Sequence, residues 1–182
     1  MSAGSQKYKA SAFTVGSSDV SVGTVDCFTN TGTNAVDYVV SLWAATYTNA
    51  NVGQQSLVGS ALATVTVNAS NQSALTLETA TFASAVTLSA NQTYVLVIGY
   101  SPVTGAPTGL GVTAFANESG SGVTPLTGLF RDSTGTVGTL DGTVSTIQTL
   151  AYNLAGTAVP EPATYAAIAG VLALGAVGWR RR

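Results

Sequence analysis

The sequence predicts an all-β protein: an antiparallel sandwich or jelly roll over residues 10–155, followed by a single C-terminal transmembrane helix. Three observations lead there. Runs rich in Val, Thr, Leu and aromatic residues recur along the body, separated by Asn-, Gly-, Ser- and Asp-rich clusters at roughly 8–12-residue spacing, the cadence of short strands joined by turns. No long 3.6-residue period occurs before residue 163. Residues 163–179 then form 17 consecutive uncharged positions that end against three arginines. The expected organisation is a disordered segment at 1–9, the β-domain at 10–155, a linker at 156–162, a helix at 163–179 and a basic tail at 180–182.

The strand candidates follow in order. SDVSVGTVDCFTN (18–30) places Val20, Val22, Thr24, Asp26 and Phe28 on one parity. VDYVVSLWAATY (36–47) is dense in branched and aromatic residues, which suit a pleated surface. In SLVGSALATVTVN (56–68), Ala63, Val65 and Val67 oppose Leu62, Thr64 and Thr66. SALTLETATF (73–82) sets Leu75, Leu77, Thr79 and Thr81 against Thr76, Glu78, Ala80 and Phe82. TYVLVIGY (93–100) is apolar throughout and predicts a strand buried on both faces. GLGVTAFAN (109–117), TPLTGLF (124–130) and VSTIQTLAYNL (144–154) complete the series. The intervening clusters supply residues that accept positive φ or bond their own backbone.

Charge narrows the function. Only 8% of residues are charged, against roughly 25% in an average soluble domain. Between residues 10 and 158 stand seven acids and one base, Arg131, a net charge of −6 that repels phosphate and argues against nucleic acid as a partner. The chain has no histidine and a single cysteine, Cys27, so Ser-His-Asp and Cys-His catalysis and cysteine metal clusters are excluded. Cys27 is expected to be a buried, inert thiol. The carboxylates show no spacing that selects a glycosidase pair. The loop RDSTGTVGTLDGT carries Asp132 and Asp141 without the alternating ligands of a calcium loop. No enzyme activity, cofactor or metal is expected.

Sugar binding has one candidate. On the strand at 36–47, Trp43 and Tyr47 share a face with Ser41, while Tyr38, Val40 and Leu42 share the other. If the first face is outward, Trp43 and Tyr47 form a stacking platform for a polysaccharide; if it is inward, Trp43 is core.

The last residues, VPEPATYAAIAGVLALGAVGWRRR, divide into three parts. Pro160 and Pro162 fix their own φ and keep Val159 and Glu161 extended, so Pro160–Glu161–Pro162 is a stiff, non-helical handle. As a helix, Ala163 to Trp179 would span roughly 26 Å, just enough for a hydrocarbon core of about 30 Å. Tyr165 and Trp179 stand near its ends as interfacial aromatics do. Arg180, Arg181 and Arg182 follow, and each Arg costs about 2.5–3.5 kcal/mol at the centre of a membrane helix. They hold the C-terminus in the cytoplasm and leave the β-domain on the outer side.

With these residues in this order, the tail resembles the PEP-CTERM sorting signal of Gram-negative bacteria. The resemblance implies recognition and cleavage by an exosortase, a membrane-embedded protease with a cysteine nucleophile. It makes Pro160, Glu161 and Pro162 the recognition motif, Ala163–Trp179 a transient span of the bacterial membrane, and Arg180–Arg182 the retention signal. It further implies an exported protein that ends at the cell surface or in an exopolysaccharide or biofilm matrix. The body, through Phe13–Val15, Val40–Trp43 and Leu88–Val97, resembles choice-of-anchor type R extracellular β-domains. The N-terminal MSAGSQKYKASAFTV lacks the basic start and apolar run of a secretory signal, so the true start is expected upstream.

Overall fold

The computed structural model describes residues 8–46, 55–102, 109–110, 118–120, 122–126, 130–132, 139–140 and 150–159. The elements are β1 (Tyr8–Val15), β2 (Val20–Asn30), β3 (Ala35–Thr46), β4 (Gln55–Ser70), β5 (Thr76–Leu88) and β6 (Thr93–Pro102). Short β7 (Gly109–Leu110), β8 (Glu118–Gly120), β9 (Val123–Pro125), β10 (Phe130–Asp132) and β11 (Thr139–Leu140) follow, then β12 (Tyr152–Ala158). They form two sheets. The first runs β10-β1-β6-β3-β4-β11, with β9 also on β1; the second runs β5-β2-β12-β8, with β7 also on β2. Every pairing is antiparallel except β12 with β8.

The inner faces of the two sheets build one apolar core. Phe13, Tyr38, Val40, Leu42, Leu96 and Ile98 come from the first sheet, and Val25, Cys27, Phe82, Leu88, Tyr152 and Leu154 from the second. Each large side chain so enclosed contributes about 1.5–3 kcal/mol by leaving water. β6 is buried on both faces, as its unbroken apolar run predicts. Tyr94, Leu96 and Ile98 face the core, while Val95 and Val97 join Ala10 and Ala12 in a second cluster on the other side.

Two elements depart from simple alternation. At Gly23, β2 bulges: Val22 faces Val86 and Gly156, whereas Thr24 faces Thr81 and Ala155. An extra residue reverses parity. Val20 and Val22 therefore point inward, but beyond the bulge Val25, Cys27 and Thr29 are buried, and Thr24, Asp26 and Phe28, expected on one parity with Val20 and Val22, face the other way. In β5 the register also shifts, and the apolar side chains at its start lie outward: Leu75, just before the strand, is 50% and Leu77 54% exposed, while Ala80, Phe82 and Leu88 fill the core. β5 runs on to Leu88, six residues past its expected end at 82.

Boundaries shift at both ends of the body. Tyr8 and Lys9, expected in the disordered segment, pair in β1 with Gly99 and Ile98. Residues 156–158, expected in the linker, belong to β12 and pair with Val22, Ser21 and Val20. β12 begins at Tyr152, after the buried Leu150 and Ala151, while residues 144–149 of the strand expected at 144–154 lie outside the described residues. Among the described residues no helix is long and apolar enough to cross a membrane; the expected span at 163–179 lies outside them.

Cys27 is 1% exposed. Burial, then the nearby charges of Glu78 and Asp26, push its thiol up to about 12. Thiol reagents are therefore expected to leave the native protein unmodified near neutral pH and to alkylate Cys27 only after denaturation, as the mass increment would show. Tyr38 is raised to about 12 in the same direction, chiefly by burial. Both groups bind their proton more tightly folded than unfolded, so this part of the stability is complete below about pH 9. It is expected to fall as pH rises toward 12, with a dropping thermal midpoint as the readout.

Candidate functional site at the C-terminal exit

The functional candidate is the place where the chain leaves the sandwich. β12 lies inside the second sheet, between β2 and β8, and its inward side chains Tyr152 and Leu154 are both 2% exposed. Past a register shift at Ala155–Gly156, the strand stays paired with β2 through Ala158 opposite Val20. Gly156 is required there. A Cβ at this position would stand 2.7 Å from a Val20 methyl and 3.2 Å from the Ser21 carbonyl oxygen. One residue beyond the strand, the Val159 N–H donates to the Asp19 carbonyl at 2.8 Å.

Asp19 also fastens a second turn. Its Oδ1 accepts the Ala90 N–H at 2.8 Å. The neighbouring turns are tied to one another in the same way. Val15 N–H donates to the Gln92 carbonyl at 3.0 Å, Gly16 N–H to the Gly122 carbonyl at 2.9 Å, and Asn91 N–H to the Gly16 carbonyl at 2.9 Å. Asn91 takes φ 58° and Gly122 φ 74°, the left-handed conformation that Asn and Gly tolerate in tight turns. Ser89 N–H donates to the Tyr94 hydroxyl at 2.8 Å. The exit is thus a cross-braced end wall. A shallow groove of about 380 Å³ opens in it, lined by Gly16, Ser17, Ser18, Gly122, Thr124 and Ala158 among others.

The expected motif residues Pro160, Glu161 and Pro162, the span from Ala163 to Trp179, and Arg180, Arg181 and Arg182 begin one residue past Val159 and lie outside the described residues. The two aromatic candidates for sugar stacking part company. Trp43 lies on the face of the first sheet away from the main core, half-buried against the Ala10, Ala12, Val95 and Val97 cluster, and donates from Nε1 to the Ser41 hydroxyl at 2.9 Å. Tyr47 lies outside the described residues. Among the described residues no group of three His, Cys, Asp or Glu side chains could hold a metal ion.

Sequence reasoning missed Asp19. Its signal was local, an Asp closing the GSSD turn just before a strand, but its partners Ala90 and Val159 are brought to it only by the fold.

A Pro-Glu-Pro sequence directly after a folded β-domain, with an uncharged run and terminal arginines behind it, has the order of a C-terminal sorting signal. Residues 158–182 match the family described as the PEP-CTERM protein-sorting motif. That signal implies export, membrane-associated processing and recognition by an exosortase. The match covers the tail alone, and the body's likeness to choice-of-anchor domains finds no counterpart in it. No curated protein and no solved structure matches the chain.

Proposed function

We propose that this is a non-catalytic structural protein of the cell surface or exopolysaccharide matrix of a Gram-negative bacterium, released to that place by exosortase cleavage. The observation that carries the reading is the sorting motif at 158–182, joined directly to a folded all-β body. The tail acts in sequence. The apolar run at 163–179 holds the chain in the membrane, and Arg180–Arg182 stop it from passing through. Pro160–Glu161–Pro162 would then stand outside, where its prolines disfavour helix and favour extended geometry at Val159 and Glu161. The nucleophile belongs to the enzyme; this chain is the substrate. A body whose polar side chains are mostly hydroxyls and amides, with only 8% of residues charged, suits a hydrated polysaccharide gel.

Mass spectrometry of the mature C-terminus from the native host tests this. The expected product lacks Arg180–Arg182. Surface-located protein that retains Arg182 overturns exosortase processing in favour of a plain membrane anchor.

A second reading, polysaccharide binding by the body, is favoured by one observation: Trp43 is turned away from the main core. Trp43→Ala discriminates. Under this second reading the variant keeps its thermal midpoint within a few degrees and loses retention on host exopolysaccharide. Under the purely structural reading, retention is unchanged.

A further inference from the structure

The domain ends where the signal begins. β12 is paired through Ala158 and Val159 is bonded to Asp19, yet the sorting motif matches from residue 158. Strand and signal overlap. Only Pro160, Glu161 and Pro162 separate the clamp at Val159 from the apolar run, and three extended residues reach about 10 Å. An enzyme that takes this handle at the membrane surface therefore meets the end wall of the sandwich.

We propose that this end wall, made of the 16–19 and 89–92 turns, the Gly122 turn and the end of β12, is a docking surface for the membrane-embedded protease, which reads folded body and motif together. The inference rests on the sorting function proposed above. Three features of the wall fit such a partner. It is stiff, because its turns bond to one another and to the departing chain. It is concave, and the groove of about 380 Å³ includes Ala158, so a protein group seated there touches the residue where the match begins.

Third, the wall is poor in charge although the body carries net −6 between residues 10 and 158. Asp19 is the one acid among its described residues, and its carboxylate already receives the Ala90 N–H. Asp26, Asp37 and Glu78 lie toward the other end, where Glu78 is bonded to Gln72 and Asp37 to Asn68. The acid-poor end is the one that can approach an anionic membrane surface without repulsion.

Processing of the full chain in its native host tests this, with the cleaved fraction followed over time by mass spectrometry. Two changes address the docking surface. One is a flexible Gly/Ser spacer between Val159 and Pro160; about 12 residues move the motif roughly 19 Å from the wall on average. The other is Ser17→Trp, which fills the groove from an exposed position. Thr33→Trp, exposed in the β2–β3 turn at the opposite end, is the control for bulk alone. The spacer and Ser17→Trp are expected to slow cleavage at least about tenfold, the equivalent of about 1.4 kcal/mol of lost recognition, while Thr33→Trp is cleaved like wild type. Thermal midpoints of the three variants guard against unfolding, and the spacer decides the question alone if Ser17→Trp unfolds.

A double Pro160→Ala, Pro162→Ala variant separates the two levels of the reading. If it is not cleaved while the spacer variant is cleaved at the wild-type rate, the docking surface is overturned and sorting stands. If it is cleaved normally, the sorting function falls, and the docking surface with it.

Discussion

Replacing Phe13 with Ala is expected to cost about 3–5 kcal/mol, a large part of the roughly 5–15 kcal/mol that holds a domain together. Phe13 has no exposed surface. Its ring stacks on Tyr94 with centroids 6.1 Å apart and an interplanar angle of 28°, and meets Tyr152 of the opposite sheet at 6.4 Å and 48°. It is therefore one of the side chains that hold the sheets face to face. Its neighbour Tyr94 also accepts the Ser89 N–H, so loosening the cluster loosens the exit wall. Urea denaturation checks the prediction: the midpoint should fall sharply with little change in slope. Phe13→Leu, which refills most of the space, should recover much of the loss.

The second large effect lies at the other end of the sandwich. Gln72 is 8% exposed in the β4–β5 turn, beside Asn71 at φ 55°. Its Oε1 accepts the Thr29 hydroxyl at 2.9 Å, its Nε2 donates to Glu78 Oε1 at 2.7 Å, and its backbone N–H donates to the Thr31 hydroxyl at 3.0 Å. Thr29 and Thr31 have no exposed surface. Gln72→Ala removes the side-chain partner of a buried hydroxyl and of Glu78 together. Each buried group left unpaired costs about 1–3 kcal/mol, so a loss of about 2–4 kcal/mol is expected in the same denaturation assay. Gln72→Glu keeps the shape but sets a carboxylate against Glu78. Mutual repulsion holds a proton on the folded pair that the unfolded chain releases near pH 4. Its stability should therefore be greatest at acid pH and fall as pH rises, and a flat profile between pH 4 and 7 would contradict the contact.

Much of the fold is legible in the sequence because it rests on local pattern. The apolar run of β6 announced burial on both faces, and the alternation read in β4 is real, with Val65 and Val67 packed toward the core and Thr64 and Thr66 exposed. The sorting motif is legible for another reason: the residues that match it, 158–182, are contiguous, so no folding is needed to read them. What escaped depends on contacts between distant parts of the chain. Gly23 is an ordinary glycine until its neighbours β5 and β12 show that it carries a bulge, and with the bulge Thr24, Asp26 and Phe28 leave the buried parity of Val20 and Val22. Alternation alone did not say which parity of residues 73–82 faces inward; Ala80 and Phe82 take the core and Leu75 and Leu77 are exposed. Trp43 fits both parities of reading, because the first sheet is covered with apolar side chains on its two faces. The clamp at the exit was invisible because Asp19 and Val159 belong to opposite ends of the chain.

The position of β12 also governs when the protein can exist as a folded body. The strand is the last described element in sequence, yet it sits between β2 and β8, with Tyr152 opposite Cys27 and Leu154 opposite Val25. Pairings between such distant segments form late, because a long loop must close before they return any energy. Until residues 152–158 are available, β2 has one flank without this partner and the core lacks Tyr152 and Leu154. If the chain is exported N-terminus first, as the proposed function requires, the second sheet would stay incomplete until residues 152–158 had crossed, and its completion would fall together with the arrival of the sorting motif at 158–182.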